Sequence, residues 1–222
     1  MTPLIHDWRD RVADSHLPPE HQRELLVLLP CSAVKPYRTS QSHRRFISSI
    51  PNNAAHQVMV TAPLGLVPRE LEEIWPAANY DIPVTGDWDS DEISVIRSML
   101  LRMCSRVGYQ RIINHSGVNF SIEGIEVVDT RKGESAGSQE SLGRLREAVQ
   151  QAEQELELHS PKKSQNTLSQ LRALSRFQHG TDSWLDGAVL KGRPPIFTIT
   201  KDGEQIAMWN PRSGRFAFSK AC

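Results

Sequence analysis

The sequence is poor in cysteine and has no long apolar run. Only three cysteines occur among its 222 residues, Cys31, Cys104 and Cys222, and their spacing fits neither a disulfide framework nor a zinc site. No stretch approaches the roughly 18 consecutive apolar residues of a transmembrane helix. The N-terminal residues also lack the basic-then-apolar pattern of a signal peptide. These absences predict a cytoplasmic protein with reduced thiols and no membrane segment.

The net charge is zero, but the charges are unevenly distributed. Residues 1–160 contain 16 Lys and Arg against 22 Asp and Glu, whereas residues 161–222 contain 10 against 4. A basic C-terminal part indicates either an anionic partner such as RNA or charge pairing between two domains. The proportions of hydrophobic residues, 38%, and charged residues, 23%, are typical of a globular protein.

The most informative stretch runs from residue 25 to residue 50. Leu25–Leu29 is an unbroken aliphatic run, which predicts a strand that is buried on both faces. Pro30 ends this run, and Gln41–Ile50 is predicted to be a helix with Ser40 as its N-cap. The loop between strand and helix is crowded with polar and nucleophilic side chains. Because ligands of open α/β sheets bind beyond the carboxyl ends of the strands, this loop is the predicted site.

Strand and helix patterns alternate along the rest of the first 158 residues. Further strands are predicted at Val58–Thr61, Tyr80–Val84, Arg111–Asn114 and Glu126–Asp129. Helices are predicted to start at Pro68, to run from Asp91 to Arg106 with Asp89 or Ser90 as the cap, and to span Ser138–Leu158. This alternation predicts a three-layer α/β fold with a mostly parallel sheet.

A second, smaller domain is predicted after a linker. Residues 1–158 form the predicted α/β domain, residues 159–166 the linker, and residues 167–222 a small α+β domain. The small domain is expected to contain a helix and an antiparallel hairpin with an Asp202-Gly203 turn. Its predicted elements are the helix Thr167–Phe177 and the strands Ile196–Thr200, Gln205–Trp209 and Phe216–Phe218.

The loop after the first strand resembles the signature of a known family. Its pattern, PC-x3-KPY-x2-S-x2-H, is formed by Pro30, Cys31, Lys35, Pro36, Tyr37, Ser40 and His43. It is similar to the signature of archaeosine synthase, a paralogue family of archaeal tRNA-guanine transglycosylase. The similarity continues through Thr61–Glu72 and Tyr80–Trp88. The resemblance implies a sheet similar to that of uracil-DNA glycosylase, followed by the small domain that precedes the RNA-binding PUA module in these relatives.

The resemblance implies an enzyme that modifies tRNA. In the family, the ε-amine of free lysine adds to the nitrile carbon of 7-cyano-7-deazaguanine in tRNA, and a radical-SAM partner cleaves the product to archaeosine. Free lysine is therefore the expected co-substrate, with no cofactor, although another amine donor stays open. No metal is expected either, because His56, His159 and His179 lack ligand spacing. A separate transglycosylase chain is a further expected partner.

The motif contains candidates for each step of nitrile addition. Cys31 is the candidate nucleophile, which would form a thioimide that lysine then displaces. Lys35 or Tyr37 would protonate the imide nitrogen, and His43 would act as a general acid or base. Lys35, Arg38 and the following helix N-terminus are expected to lower the pKa of Cys31. Direct attack by lysine, with Cys31 only lining the pocket, is the alternative.

Other polar side chains are candidates for binding the substrate or RNA. Those expected to contact the base or the lysine are Ser32, Ser40, Asp81, Asp87, Trp88 and His115. Those expected to contact phosphates are Arg38, Arg44, Arg45 and Arg69. For each of these residues, the competing interpretation is a purely structural role. That role would be a helix cap, a turn residue, a core aromatic or part of a solvated basic face.

Two other functions compete with amine addition. The chain would be an accessory RNA-binding subunit of a transglycosylase or deazaguanine-modification system if the chemistry lies in another protein. It would excise a base, like a glycosylase, if Asp81 or Asp87 were directed at a glycosidic bond. A motif that combines Cys31 with His43 favours catalysis, since a scaffold needs neither side chain.

Overall fold

The structure is a computed structural model that describes residues 2–79, 88–193, 196–210 and 215–218. The chain divides into two compact units, residues 1–161 and residues 162–222. This division falls inside the predicted linker, residues 159–166. Within the described ranges, no helix combines the length and the apolarity that crossing a bilayer requires.

The first unit is built on a five-stranded, mostly parallel sheet. Its strands are β1 (Leu25–Pro30), β2 (Ala55–Thr61), β3 (Gly65–Pro68), β4 (Arg111–Asn114) and β5 (Glu126–Asp129). They lie in the order β3-β2-β1-β4-β5. β1 is parallel to both of its neighbours, β4 is parallel to β5, and the β2–β3 pair is antiparallel. The predicted α/β class with a mostly parallel sheet is thus confirmed, and the motif strand is central.

Four α-helices accompany this sheet in the described part of the unit. They are α1 (Pro3–Asp10), α2 (Gln41–Ser49), α3 (Ser90–Val107) and α4 (Gln139–Glu155), and a π-helix, Arg11–Ser15, continues α1. The predicted caps are confirmed, because the Ser40 hydroxyl accepts from the His43 amide at 3.2 Å and Asp89 forms a capping box with Glu92. These caps satisfy amide groups that the first helical turn leaves without an intrahelical partner.

β1 is buried on both faces, as its apolar run predicted. Leu25, Val27 and Leu29 belong to a core cluster with side chains of α2 and α4. Leu26 and Leu28 project to the opposite face and are equally inaccessible. The helical residues of the cluster are Phe46, Leu145, Val149 and Ala152, and Ile50, which follows α2, also belongs to it. Each large side chain buried here contributes about 1.5–3 kcal/mol to folding.

The region after β2 differs from the prediction. The sequence predicts a loop and then a helix that starts at Pro68, but the structure has a short strand, β3, followed by a single 3-10 turn, Arg69–Leu71. The physical reason is an antiparallel pairing in which Gly65 faces Thr61 and Pro68 faces Val58. Pro68 is tolerated because β3 lies at the sheet edge. The strand predicted at Tyr80–Val84 lies outside the described residues.

In its described residues, the second unit contains one α-helix, one 3-10 turn (Ser183–Leu185) and a four-stranded antiparallel sheet. The helix α5 (Lys163–His179) starts before the predicted Thr167. The strands, in sheet order, are β6 (Val189–Arg193), β7 (Ile196–Lys201), β8 (Glu204–Asn210) and β9 (Arg215–Phe218). The predicted hairpin is confirmed, with Asp202 at φ 53° and Gly203 at φ 85°. The sequence prediction missed β6, whose Lys-Gly-Arg end lacks an apolar alternation.

Two glycines of the first unit should respond oppositely to replacement by alanine. Gly65 has φ +80°, and a Cβ there would overlap the Met99 sulfur, so Gly65→Ala should lower the free energy of unfolding by about 1–2 kcal/mol. Gly143 lies inside α4 with open space around it, so Gly143→Ala should raise that free energy by about 0.5–1 kcal/mol. Urea unfolding measures both changes, and equal effects would contradict the β3 geometry.

Candidate active site

The predicted loop lies at the edge of the sheet where four parallel strands end. Cys31 follows β1, Thr61 is the last residue of β2, His115 follows β4, and Thr130 follows β5. Carboxyl ends of parallel strands collect side chains from distant parts of a sequence. The arrangement of β1, β2, β4 and β5 therefore brings a thiol, hydroxyl groups and an imidazole to one edge.

Cys31 is half-buried, and its thiol stays protonated at neutral pH. Burial raises the pKa of the Cys31 thiol, while the side-chain hydrogen bond with Thr61 and the charge of Lys35 lower it by less. The net direction is upward, contrary to the expectation that the loop and the helix N-terminus would lower this pKa. The reason is that desolvation of a thiolate outweighs a single lysine at this position.

The side chains that follow Cys31 differ in how deeply they are buried. The Ser32 hydroxyl accepts from the Val34 amide at 3.3 Å, which stabilises the turn locally. Lys35 is half-buried, and its Nζ lies 6.0 Å from the ring centroid of Tyr37, at the outer limit of a cation–π contact. Tyr37 itself is fully buried, and its ring lies 5.1 Å from that of His43. Lys35 is thus the accessible member, and Tyr37 and His43 lie beneath it.

His43 is a buried, neutral imidazole. Its Nδ1 lies 3.1 Å from Nη2 of Arg69, and because a guanidinium only donates, Nδ1 accepts and the ring proton is on Nε2. Nε2 faces the backbone of Pro30, although with poorer geometry than a regular hydrogen bond. Burial, assisted by the Arg69 charge, lowers the pKa of His43 to about 3. This environment suits a side chain that positions the end of β1 more than one that exchanges protons with a substrate.

Glu72 organises the layer behind the motif. This carboxylate is fully buried and accepts hydrogen bonds from the Arg38 Nε at 2.5 Å, the Arg38 amide at 3.1 Å and the Arg69 Nη1 at 2.9 Å. Arg69 also donates to the Gln57 side chain at 3.2 Å. The structure therefore places Arg38 and Arg69, both predicted phosphate ligands, around an internal carboxylate.

Sequence reasoning missed three side chains near the motif. Thr61, Glu72 and Glu73 are distant from the motif in the sequence, although the segment Thr61–Glu72 contains the first two and shares the family resemblance. Burial, together with the charge of Glu72, raises the pKa of Glu73 to about 7 against the opposing charge of Arg38, whose Nη1 is 3.0 Å from Glu73 Oε1. The one sequence signal for these roles was the pair of adjacent carboxylates, Glu72 and Glu73, within the helix predicted after Pro68.

The other predicted base-binding residues differ in burial and in hydrogen-bond partners. Ser40 is buried as the cap of α2, and Trp88 is half-buried. His115 is fully buried with both nitrogens engaged, Nδ1 by the Thr130 hydroxyl at 2.7 Å and Nε2 by the Ala136 carbonyl at 2.9 Å. Its ring therefore stabilises the sheet edge from within. Asp81 and Asp87 lie outside the described residues.

A basic groove runs between α2 and α4. Its basic residues are Arg44 and Arg45 of α2 and Arg146 of α4, and no acidic side chain lines it. Within the described ranges, none of the three guanidinium groups has a carboxylate partner, and Arg146 only approaches the Ser48 carbonyl at 3.4 Å. The other lining residues are Gln41, Ser48, Ser49, Gln139, Leu142 and Gly143. Two of the predicted phosphate ligands are thus available at a surface, joined by one that the prediction did not include.

The burial of His43 should make the stability of the protein depend on pH. An unfolded histidine takes up a proton near pH 6.5, whereas folded His43 does so only near pH 3, so protonation favours the unfolded state between these values. His43→Gln should therefore become more stable relative to wild type by about 3 kcal/mol between pH 7.5 and pH 4.

Urea unfolding over that pH range measures the change. Exposed His6 provides the control, because His6→Gln should leave the pH dependence as in wild type. Parallel stability curves for wild type and His43→Gln would contradict the buried, neutral imidazole.

Comparison with known proteins connects this site to a family. The profile of the family described as Domain of unknown function (DUF5591) matches residues 5–149. The chain is 34% identical to "Archaeosine synthase subunit alpha" of Methanosarcina acetivorans, over 94% of this chain and 36% of the relative. It is 31% identical to the protein of the same name from Thermoplasma acidophilum, over 99% and 42%. It is also 35% identical to "Archaeosine synthase" of Haloferax volcanii, over 87% and 34%.

The chain spans less than half the length of these curated relatives. A solved structure, described as the crystal structure of AF0587, a protein of unknown function, matches with a TM-score of 0.65. That match covers 96% of this chain and 71% of the other, at 23% identity, and so concerns the fold alone. The resemblance to archaeosine synthase predicted from the Cys31 motif is confirmed by several relatives. By the extent of the profile match, the chain belongs to the family described as Domain of unknown function (DUF5591).

Proposed function

We propose that the first unit catalyses the addition of an amine, lysine, to the nitrile carbon of 7-cyano-7-deazaguanine in tRNA. One observation carries the proposal. The chain is similar to archaeosine synthases, and Cys31 lies at the carboxyl end of its central strand. The Thr61 side chain forms a hydrogen bond with the Cys31 sulfur, and the charge of Lys35 acts on the same thiol. This is the composition that nitrile addition needs, namely a nucleophile, a nearby proton donor and partial shielding from water.

The chemistry is redox-neutral and requires no leaving group from the nitrile. The Cys31 sulfur bonds to the nitrile carbon and a proton goes to the nitrile nitrogen, which gives a thioimide. The lysine amine then bonds to the same carbon, the carbon–sulfur bond breaks, and the thiol recovers a proton from the amine. The product is an amidine, and the enzyme returns to its starting state without a cofactor.

The protonated state of Cys31 fits the first step. The proton that leaves the thiol as the carbon–sulfur bond forms is the proton that the imide nitrogen needs, so Cys31 supplies both the nucleophile and the proton. The Thr61 hydrogen bond orients the sulfur, and the ammonium group of Lys35 stabilises negative charge that develops during the addition. Tyr37 and His43, which are buried, position this loop. Direct attack by lysine remains the alternative chemistry that the experiment below separates.

We propose that the groove between α2 and α4 holds the RNA backbone. The groove carries three positive charges and is lined by no acidic side chain. They belong to Arg44 and Arg45 of α2, the helix after the motif loop, and to Arg146 of α4, which packs with α2 in one core cluster. Guanidinium groups bind phosphate oxygens with paired hydrogen bonds. The same surface would serve the second candidate function, an RNA-binding accessory subunit.

Three finer assignments belong to this proposal. The four parallel strands follow the order 2-1-3-4 when they are counted alone, which supports a sheet similar to that of uracil-DNA glycosylase. Relatives named as a subunit alpha support a partner chain, either a radical-SAM enzyme or a transglycosylase. Modification of tRNA by a chain of this kind would take place in the cytoplasm.

Replacing Cys31 should abolish formation of the modified base. Wild-type protein, incubated with lysine and tRNA that carries the cyano base, should give a lysine-sized mass increase of that nucleoside, and Cys31→Ala or Cys31→Ser should lose at least about 100-fold in rate. Without lysine, wild-type protein should form a covalent adduct with the cyano base, detected as a mass increase of the protein, and Cys31→Ala should not. Cys104→Ala is the matched control, since that cysteine is buried in α3.

The outcomes separate the candidate functions. Wild-type turnover by Cys31→Ala would exclude the thioimide and leave direct attack by lysine. Retention of tRNA with no change in any base would favour the accessory subunit. Release of a free base would instead establish excision and exclude both.

The groove arginines should set the salt dependence of RNA binding. Each phosphate contact that is lost lowers the slope of log K against log salt concentration by about 0.7–0.9. Arg44→Gln, Arg45→Gln and Arg146→Gln should each reduce the slope by that amount, measured by fluorescence anisotropy with labelled tRNA. Arg97→Gln removes the same charge from the exposed surface of α3 and should leave the slope unchanged. Equal slopes for all four variants would remove the groove from the proposal.

A further inference from the structure

Two histidines and a glutamate from three separate segments converge inside the first unit, away from the motif. His16 follows the π-helix, His56 is the second residue of β2, and Glu70 lies in the 3-10 turn after β3. His56 is in register with Leu26, near the start of β1, whereas Cys31 follows the end of that strand. The cluster therefore occupies a different part of the sheet from the candidate active site.

The donor atoms of the cluster face one another at short range. The Nε2 atoms of His16 and His56 lie 2.8 Å and 3.2 Å from the same oxygen, Oε1 of Glu70. All three donors lie within 4.8 Å of one another. Two ligands on opposite sides of a zinc ion are separated by about 4.2 Å, and tetrahedral ligands by about 3.4 Å. Only small rotations of the side chains separate this arrangement from coordination geometry.

The Nε2 atom of His56 is poorly satisfied by its hydrogen-bonding neighbours. Although it is 3.2 Å from the Glu70 carboxylate and its side chain is fully inaccessible, it forms no aligned hydrogen bond with any described residue. A buried polar nitrogen without such a bond is costly. A cation between the two atoms would accept a lone pair from Nε2 of His56 and another from Oε1 of Glu70. Such coordination does not require the two atoms to be aligned with each other, as a hydrogen bond does.

The second nitrogen of His56 is already oriented. Its Nδ1 lies 2.5 Å from the hydroxyl of buried Tyr109. Metal-bound histidines typically donate the proton of the other ring nitrogen to such a partner, which fixes the tautomer that leaves Nε2 free to coordinate. Tyr109, in the segment between α3 and β4, thus completes the arrangement expected around a ligand histidine.

We propose that His16, His56 and Glu70 form a structural binding site for a divalent transition metal, of the class represented by Zn²⁺. Two imidazole nitrogens select transition metals over Mg²⁺ or Ca²⁺, which prefer oxygen ligands. The remaining coordination position is filled by the second Glu70 oxygen or by a water. Side-chain exposures of 1%, 0% and 3% leave no access for a substrate, so the ion has a structural role.

The electrostatics of the cluster agree with this geometry. Burial lowers the pKa of His16, which keeps a lone pair available at neutral pH. The neighbouring histidines hold the pKa of Glu70 well below its usual range despite its burial. Metal binding requires deprotonated imidazoles and an ionised carboxylate, so the cluster should release protons when it binds the ion. The metal would join the N-terminal segment to β2 and to the turn that carries Arg69, next to Glu70.

Metal content tests the proposal directly. Protein that has been stripped with dipicolinate, incubated with Zn²⁺ and desalted should retain about one equivalent by elemental mass spectrometry. Co²⁺ should give visible d–d absorption without the near-ultraviolet thiolate band that binding by Cys31 or Cys104 would produce. Saturating Zn²⁺ should also raise the Tm. His6→Gln, at an exposed histidine, should match wild type in all three measurements.

Two variants distinguish a ligand set from a network of hydrogen bonds. Glu70→Gln keeps the side-chain volume but removes the anionic ligand, and should lose Zn²⁺ retention and the shift in Tm. Tyr109→Phe keeps every ligand and should weaken Zn²⁺ binding 10–100-fold without changing the stoichiometry, so the test stands even if Glu70→Gln fails to fold. Retention below a tenth of an equivalent by wild type, a thiolate band with Co²⁺, or equal Zn²⁺ affinity in wild type and Tyr109→Phe would overturn the proposal.

Discussion

The position of β1 in the middle of the sheet is the constraint on which the first unit depends. Its five aliphatic side chains fill both sides of the sheet, and its backbone pairs with β2 and β4 along most of its length. Such a strand can neither slide nor rotate without exposing a row of apolar groups to water. The carboxyl end of β1 is therefore fixed in position. Cys31, the next residue, lies at a defined place at the edge of the sheet as a result.

A buried ionic layer supports the loop that follows. Glu72 receives three hydrogen bonds from Arg38 and Arg69, and Arg69 continues to His43, whose ring faces the backbone of Pro30. Removing one partner of such a network leaves a buried charge uncompensated, which is more costly than the net contribution of the pair to stability. The layer thus stabilises one conformation of the loop. In the proposed reaction, the Cys31 sulfur must approach the nitrile carbon at a defined angle, which a single loop conformation favours.

Burial favours the neutral form of both His43 and Cys31, but with different chemical consequences. At His43 it removes the imidazole from proton exchange, and the histidine becomes a means of positioning the strand end. At Cys31 partial burial keeps the proton on the sulfur, which suits addition to a neutral nitrile, where both a nucleophile and a proton are consumed. In the proposed reaction the motif therefore acts through its accessible members, Cys31 and Lys35, while the buried members determine where those two lie.

Local patterns in the sequence determined the class of the fold, the central strand, most element boundaries, the helix caps and the loop that carries the family resemblance. Those features depend on residues that are neighbours along the chain, such as the run Leu25–Leu29 or the cap Ser40. The tertiary structure alone decided the edge strand β3, whose pairing with β2 overrode the helical pattern after Pro68. It also decided the partners of Arg38, Arg69 and His115 and the convergence of His16, His56 and Glu70. These depend on contacts between distant segments, and burial then changed the protonation that the residue types alone had suggested.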